Sequence, residues 1–311
     1  MTTPTEVTGL ADDDVRPLLQ AATTADGVPP VSDGLLEALA AAGTPGAAPG
    51  TRIWTVQGAS GAVIACGIAA VQGERGAAEA VVHPEHRAHG VGGALVRRMH
   101  ADLLGTEPAT WFWSHGDHPA GRHLAESLGY ARERELLQLT TDPLAGLDTP
   151  EPALPAEVGL GSFTPGDEEA WLRVNNAAFD WHPEQGGQTI ADIAAITAAP
   201  DFDPATVILA RRFSPEDPES GRVIGFHQIK VHSDHPSGLR TGEVYVIGVD
   251  PTVHAKGVGR ALTLAGLHRL RAMGAEVVEL YVESDNVPAR RLYESLGFVH
   301  RIVHVSYAPP A

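Results

Sequence analysis

The stretch GEVYVIGVDPTVHAKGVGRAL, residues 242–262, decides how this chain is read. Its first half is rich in β-branched and aromatic residues and predicts a strand over 242–250, which Asp250-Pro251 ends. After Gly257-Val258-Gly259, apolar residues recur near the helical period at Val258, Leu262, Ala265, Leu267 and Leu270, predicting a helix over 257–275 that Gly274 stops. Glycines between a strand and a helix let backbone amides point into open space, and a helix N-terminus with free N–H groups suits a pyrophosphate. A P-loop would carry Lys and Ser or Thr after the second glycine, where Arg260 and Ala261 stand. A dinucleotide fingerprint would need glycine at 262, which is Leu. At this point a turn that uses glycine for geometry alone is equally open.

The same pattern occurs twice. EAVVHPEHRAHGVGGAL (79–95) aligns with YVIGVDPTVHAKGVGRAL (245–262), placing Gly90 against Gly257, and AESLGY (125–130) aligns with YESLGF (293–298) at nearly the same offset. Two separate motifs at one spacing imply a duplicated domain, and 311 residues suit two domains of about 100 to 200 residues each. The Pro- and Gly-rich TTDPLAGLDTPEPALPAEVG (140–159) separates them. The expected boundaries are 1–142, a linker over 143–157, and 158–311. In the second copy strands are expected over 206–213, 222–232, 242–250, 276–284 and 298–307, with a short helix over 287–296. The first copy repeats this order with strands near 51–57, 62–72, 77–83, 110–115 and 131–140. Each copy is therefore α+β, a mixed twisted sheet flanked by helices.

Composition narrows the partners. With 22 Lys and Arg against 39 Asp and Glu, the net charge of −17 repels phosphate backbones and anionic membranes, so neither nucleic acid nor a membrane is expected. Apolar residues at 43% are enough to build real cores. The single cysteine, Cys66, excludes an internal disulfide and is expected to pack as a small apolar side chain. The N-terminus has neither a basic flank nor an apolar core, so a cytoplasmic protein is expected. Two fused domains offer an internal substitute for a dimer, and a monomer is expected. His227, His232 and His235 match no zinc spacing and are expected to be solvated surface residues, with no metal.

RAHGVG (87–92) and NVPARRLYESLGF (286–298) together resemble the two hallmark motifs of the GCN5-related N-acetyltransferases, or GNAT family. That resemblance implies acetyl-CoA as co-substrate in two tandem domains of the family fold. It implies CoA contacts from Ala80, Val81, Val82, Ala88, His89, Gly90, Val91, Gly92 and Gly93 in the first copy. In the second copy it implies Ile247, Gly248, Val249, His254, Ala255, Lys256, Gly257, Val258, Gly259 and Arg260, then Asn286, Val287, Pro288, Ala289, Arg290 and Arg291. His254 departs from the family's Arg or Gln at that place. By the same resemblance Tyr293 is the general acid beside the CoA sulfur. The first copy has Ala125 and His118 where the second has Tyr293 and Asn286, so it is expected to be non-catalytic.

An ammonium cannot attack a thioester, so a base is required, and Glu243, which opens the strand leading to the loop, is the candidate. The tandem arrangement with VNNAAFDWHPEQGG (174–187), GFHQIKVHSDHP (225–236) and LYVESDNVPA (280–289) resembles one branch of the family nearly end to end. That branch acetylates the cysteinyl amine of a glucosaminyl-inositol. The implied substrate contacts are Asp33, Glu184, Lys230, Glu243 and Tyr281. Two other readings stay open: another small-amine acetyltransferase, and a non-enzymatic acyl-CoA sensor.

Overall fold

The computed structural model describes residues 3–44, 50–72, 75–141, 143–180, 185–214, 220–232, 238–253 and 256–310. The chain forms two compact units, one of Met1–Leu137 with Ile302–Ala311 and the other of Gln138–Arg301. The last ten residues of the chain thus belong with the first unit.

In the second unit, β7 (Val158–Ser162), β8 (Val207–Arg212), β9 (Arg222–His232) and β10 (Thr241–Val249) pair antiparallel in chain order. β11 (Val277–Glu283) then adds in parallel to β10. Helices α5 (Glu168–Ala178) and α6 (Ile190–Ala198) precede β8, α7 (Val258–Ala272) links β10 to β11, and α8 (Val287–Ser295) follows β11. A reciprocal capping box between Thr189 and Asp192 fixes the start of α6. Residues 143–149 are docked on α7, where Arg271 donates to the carbonyls of Leu144 and Leu147 and to Thr149 Oγ1.

Both faces of this sheet are covered. α5 packs Trp171 and Val174 on Phe226 and Val246, whereas α7 packs Leu262 on Ile224, Ile247 and Val249. Full burial of Trp171 and Phe226 contributes roughly 1.5–3 kcal/mol per side chain.

The first unit repeats the plan. β1 (Thr5–Val7), β2 (Arg52–Gln57), β3 (Val63–Gln72) and β4 (Arg75–Val82) pair antiparallel, and β5 (Thr110–Ser114) adds in parallel to β4. α1 (Asp12–Asp26) and α2 (Asp33–Ala41) cover one face and α3 (Val91–Leu103) the other, and α4 (Pro119–Ser127) and then β6 (Ala131–Thr141) follow β5. The far edge of β5 is taken by the end of β12 (Phe298–Ala308), with Val305 opposite Ser114. Each unit is α+β with a mixed sheet, as the sequence predicts. Cys66 is buried in the first core, and burial pushes its thiol up to about 12, so it stays an inert packing group.

Candidate active site

The side-chain alternation of β10 is broken once. Val244 faces Ile229 of β9 and Val246 faces Gln228, leaving Tyr245 as an extra residue. A slip of one residue exchanges the two faces of a strand, and the packing follows. Gly242, before the bulge, lies against Leu270 and Ala275 on the α7 side, so its neighbour Glu243 points to the opposite face. Gly248, after the bulge, lies against Ala178 and Phe179 on the α5 side. Glu243 and Gly248 therefore share the α5 face although they are five positions apart. Tyr245 is left 43% exposed, with Lys230 Nζ 3.3 Å from its ring centroid, a cation–π contact.

Three charged residues form a row across three strands on this face. Lys230 of β9 stands opposite Glu243 of β10, which stands beside Glu279 of β11. Adjacent carboxylates repel, and neighbouring groups offset that cost. His232 Nε2 lies 2.7 Å from Glu243 Oε2, while Gln138 Nε2 donates to Glu279 Oε2 at 2.8 Å and to the Tyr281 hydroxyl at 3.1 Å. The hydrogen bond that His232 gives to Glu243 raises its imidazole above the ordinary value, against the effect of burial; the charges of Glu243 and Glu279 add to the rise and Lys230 opposes it. The row thus offers an acceptor pair for an ammonium beside a cation and a phenol for hydroxyl-bearing groups.

Beyond this row the sheet opens. β10 and β11 pair from Thr241–Val277 to Val244–Leu280 and no further, although β10 continues to Val249. The backbone of 245–249 on that side is therefore free of β11 and leads directly to the glycine loop. Gly257 sits at φ +90 as the cap of α7, and a Cβ built there meets no atom within 4 Å. This left-handed residue starts a 15-residue helix, and the open space at its Cβ direction beside a helix N-terminus fits the pyrophosphate of CoA.

α8 brings the second motif. The Asn286 side chain accepts from Ala289 N at 3.2 Å, capping the helix, and Arg290 donates to Ser284 O. Tyr293 is 5% exposed and its ring meets that of Phe298 at 5.8 Å. Burial pushes its hydroxyl up to about 12, so the phenol holds its proton at neutral pH.

Lys230, Glu243 and Tyr281 are brought together on one face. Asp33 is the exposed first residue of α2 in the other unit. Glu184, His254, Ala255 and His235 lie outside the described residues. Two histidines are not the solvated residues that the sequence suggests. His227 is completely buried under α7, its Nδ1 2.8 Å from Leu262 O, and burial lowers it to about 4. His232 is half-buried against Glu243 because β9 is an inner strand, with β8 and β10 on either side. The sequence motifs do not mark Glu279, Gln138 or Tyr245. The spacing of Glu279 to Tyr281 places both on one strand face and was a usable signal for Glu279.

In the first unit, Ala80, Val81, Val82, Ala88, Gly90, Gly92 and Gly93 of the residues expected to hold CoA line a cavity of about 600 Å³ together with Ala125, whereas His89 and Val91 are not in its lining. It occupies the same opening, since β4 pairs with β5 only from Gly76 to Ala78. Gly90 has φ +82 and an unobstructed Cβ direction, and His118 caps α4 through Ala120 N just as Asn286 caps α8. This cavity is not in the unit that carries Glu243 and Tyr293.

A splayed parallel pair, an open glycine-capped helix and a row of charged side chains on adjoining strands fit an acetyl-CoA-dependent N-acetyltransferase of the GNAT class. Residues 171–298 match the acetyltransferase (GNAT) family. Over 302 residues the chain is 44% identical to the mycothiol acetyltransferase of Nocardia farcinica, covering 96% of this chain and 94% of that protein. The chain belongs to the mycothiol acetyltransferase family. Among solved structures, a GCN5-related N-acetyltransferase from Sphaerobacter thermophilus superposes with a TM-score of 0.73 at 22% identity, covering 99% of this chain and 97% of that one. A tandem GNAT protein from the clavulanic acid biosynthesis pathway gives 0.68 at 18% identity, with both chains covered completely. At these identities the structures speak for the fold.

Proposed function

We propose that this protein transfers acetyl from acetyl-CoA to the cysteinyl amine of 1D-myo-inositol 2-(L-cysteinylamino)-2-deoxy-α-D-glucopyranoside, giving mycothiol and CoA. The observation that carries this reading is the Lys230–Glu243–Glu279 row beside the opening in the sheet. Glu243 takes a proton from the incoming ammonium, whose pKa near ~8 calls for only modest help at neutral pH. The amine nitrogen bonds to the acetyl carbon and the carbon–sulfur bond breaks, with amides of the free β10 edge positioned to stabilise the oxyanion. Tyr293 gives its proton to the departing thiolate and is recharged from solvent. One proton leaves to solvent for each amide formed.

Lys230 and Tyr281 hold sugar oxygens in this reading, with Asp33 and Glu184 as further substrate contacts. The loops at 88–93 and 254–260 both cradle CoA, and only the second unit catalyses. The protein works as a cytoplasmic monomer; no helix among the described residues is long and apolar enough to cross a membrane.

The test is the rate of CoA release with that amine, for the unaltered protein and for Tyr293→Phe. The expected result is turnover by the former and a loss of about 10²-fold in kcat by the latter with acetyl-CoA still bound. Turnover on other amines but none on this one would overturn the substrate assignment.

A further inference from the structure

Glu243 does not stand alone in the site. Its side chain is 11% exposed and its one hydrogen bond from a described side chain comes from His232, whose own side chain is 34% exposed. A carboxylate oxygen only accepts, so this contact requires a hydrogen on Nε2. Oε2 is thereby held, and Oε1 is the oxygen available to an amine. His232 sits two residues beyond Lys230 on β9 and opposite Thr241, diagonal to Glu243 on the same face. From there its ring is in contact with solvent at the rim of the row.

We propose that His232 is a positioning residue for Glu243, orienting the carboxylate through Nε2 and setting its strength as a proton acceptor through the charge of the imidazole ring. The inference rests on the reading of Glu243 as the base. With the ring neutral, Oε2 receives a hydrogen bond from an uncharged donor and the carboxylate keeps its affinity for the amine proton. With Nδ1 also protonated, the imidazolium forms a salt bridge with Glu243, stabilises the charged carboxylate and weakens it as a base. The same positive charge opposes entry of an ammonium. Both effects have one sign, so acid slows the reaction through His232. Among the described residues the charged groups acting on the ring are Glu243 from β10, Glu279 from β11 and Lys230 from its own strand. The two carboxylates favour the imidazolium over the single cation, which brings the switch toward neutral pH.

His232→Gln separates orientation from charge, because the amide N–H₂ can donate to Oε2 but does not titrate near neutrality. The measurement is kcat/KM of the full-length enzyme from pH 6 to pH 9 on the cysteinyl amine. The titration of the amine itself is common to both proteins and cancels in the ratio of the unaltered enzyme to the variant. The ratio is expected near one at about pH 9 and to fall about tenfold by about pH 6. His232→Ala, which supplies neither donor nor charge, is expected to run about tenfold below the Gln variant at every pH, and therefore about tenfold below the unaltered enzyme at alkaline pH and level with it near pH 6. A ratio that stays flat with pH, or a Gln variant as slow as Ala at alkaline pH, would sink the proposal. Glu243→Gln run in parallel locates the failure. If it retains full activity, the reading of Glu243 as base has failed, and if it is inactive while the ratio is flat, only the role of His232 has.

Discussion

The two units carry the same strands with opposite contents at the place where chemistry would occur. In the second unit, five residues along β9 from the Gly225–Val249 pair lead to Lys230 opposite Glu243, with Glu279 beside it. In the first unit, five residues along β3 from the Ala65–Val82 pair lead to Ala70 opposite Ala77, with Trp111 beside it. A Lys–Glu–Glu row in one unit is thus an Ala–Ala–Trp row in the other, and Ala125 replaces Tyr293. What is common is the cofactor apparatus: the opening after the parallel pair and the left-handed glycine before the helix, at φ +82 and +90. Binding geometry and reactive groups are separable layers of this fold. The second layer also needs one inserted residue, because β4 pairs with β3 without any slip whereas β10 carries Tyr245 as a bulge.

The sharpest way to break the comparison is to copy a residue of the Ala–Ala–Trp row into the Lys–Glu–Glu row. Glu243→Ala, which reproduces Ala77, is expected to lower kcat/KM by about 10³-fold at neutral pH while leaving acetyl-CoA binding in place. Steady-state rates with calorimetric titration of acetyl-CoA separate the two effects. Activity within a few-fold of the unaltered enzyme would mean that the charged row is not what distinguishes the units.

A smaller effect is expected at the glycines. Valine at a left-handed position is strained by about 1–2 kcal/mol in either unit, and at both sites the new Cβ points into the space an anion would fill. Gly257→Val is expected to raise the KM for acetyl-CoA about tenfold or more through the lost anion site. Gly90→Val carries the same strain but is expected to leave turnover unchanged and to abolish one of two CoA-binding events in a titration. Equal kinetic damage from both would show that the first unit takes part in the reaction.

Much of this architecture is legible in the sequence. The strand and helix periods of 206–307, the repeat and both glycine loops lie in local patterns, and local patterns are what a sequence exposes. The bulge is not legible, because Val244-Tyr245-Val246-Ile247 is an unbroken run of good strand residues that hides which residue is extra. A strict alternation through that run would put Glu243 and Gly248 on opposite faces. His227 misleads for a related reason: HQIKVH reads as a polar alternation, but β9 is an inner strand and α7 covers the face His227 points to. The placement of residues 302–311 with the first unit depends on strand pairing far along the chain, which composition does not encode.

The buried histidine supplies the finest comparison, between two solutions to one packing problem. In the second unit His227 of β9 fills the space over Gly266 of α7, so that any Cβ at 266 would collide with the imidazole. In the first unit Gly67 of β3 lies under Met99 of α3, the large and small partners being exchanged. Gly266→Met alone therefore overpacks the second core, at a cost of about 1–3 kcal/mol or more. Adding His227→Gly reproduces the first unit's arrangement and is expected to recover most of that loss at pH 7.5 in urea unfolding. Acid then distinguishes the two solutions. His227 is held neutral in the fold, with a pKa lowered to about 4, and the unfolded chain protonates it below about 6.5. Stability from this group is therefore intact above about pH 6.5 and falls as the pH drops toward 4, by about 2 kcal/mol at pH 5. The double variant has no such group in the second unit, whereas His304, lowered to about 3 in the first unit, is present in both proteins and cancels. The variant is thus expected to overtake the unaltered protein as the pH falls from 7.5 to 5. A double variant no more stable than Gly266→Met would show that the two cores are not interchangeable at this contact.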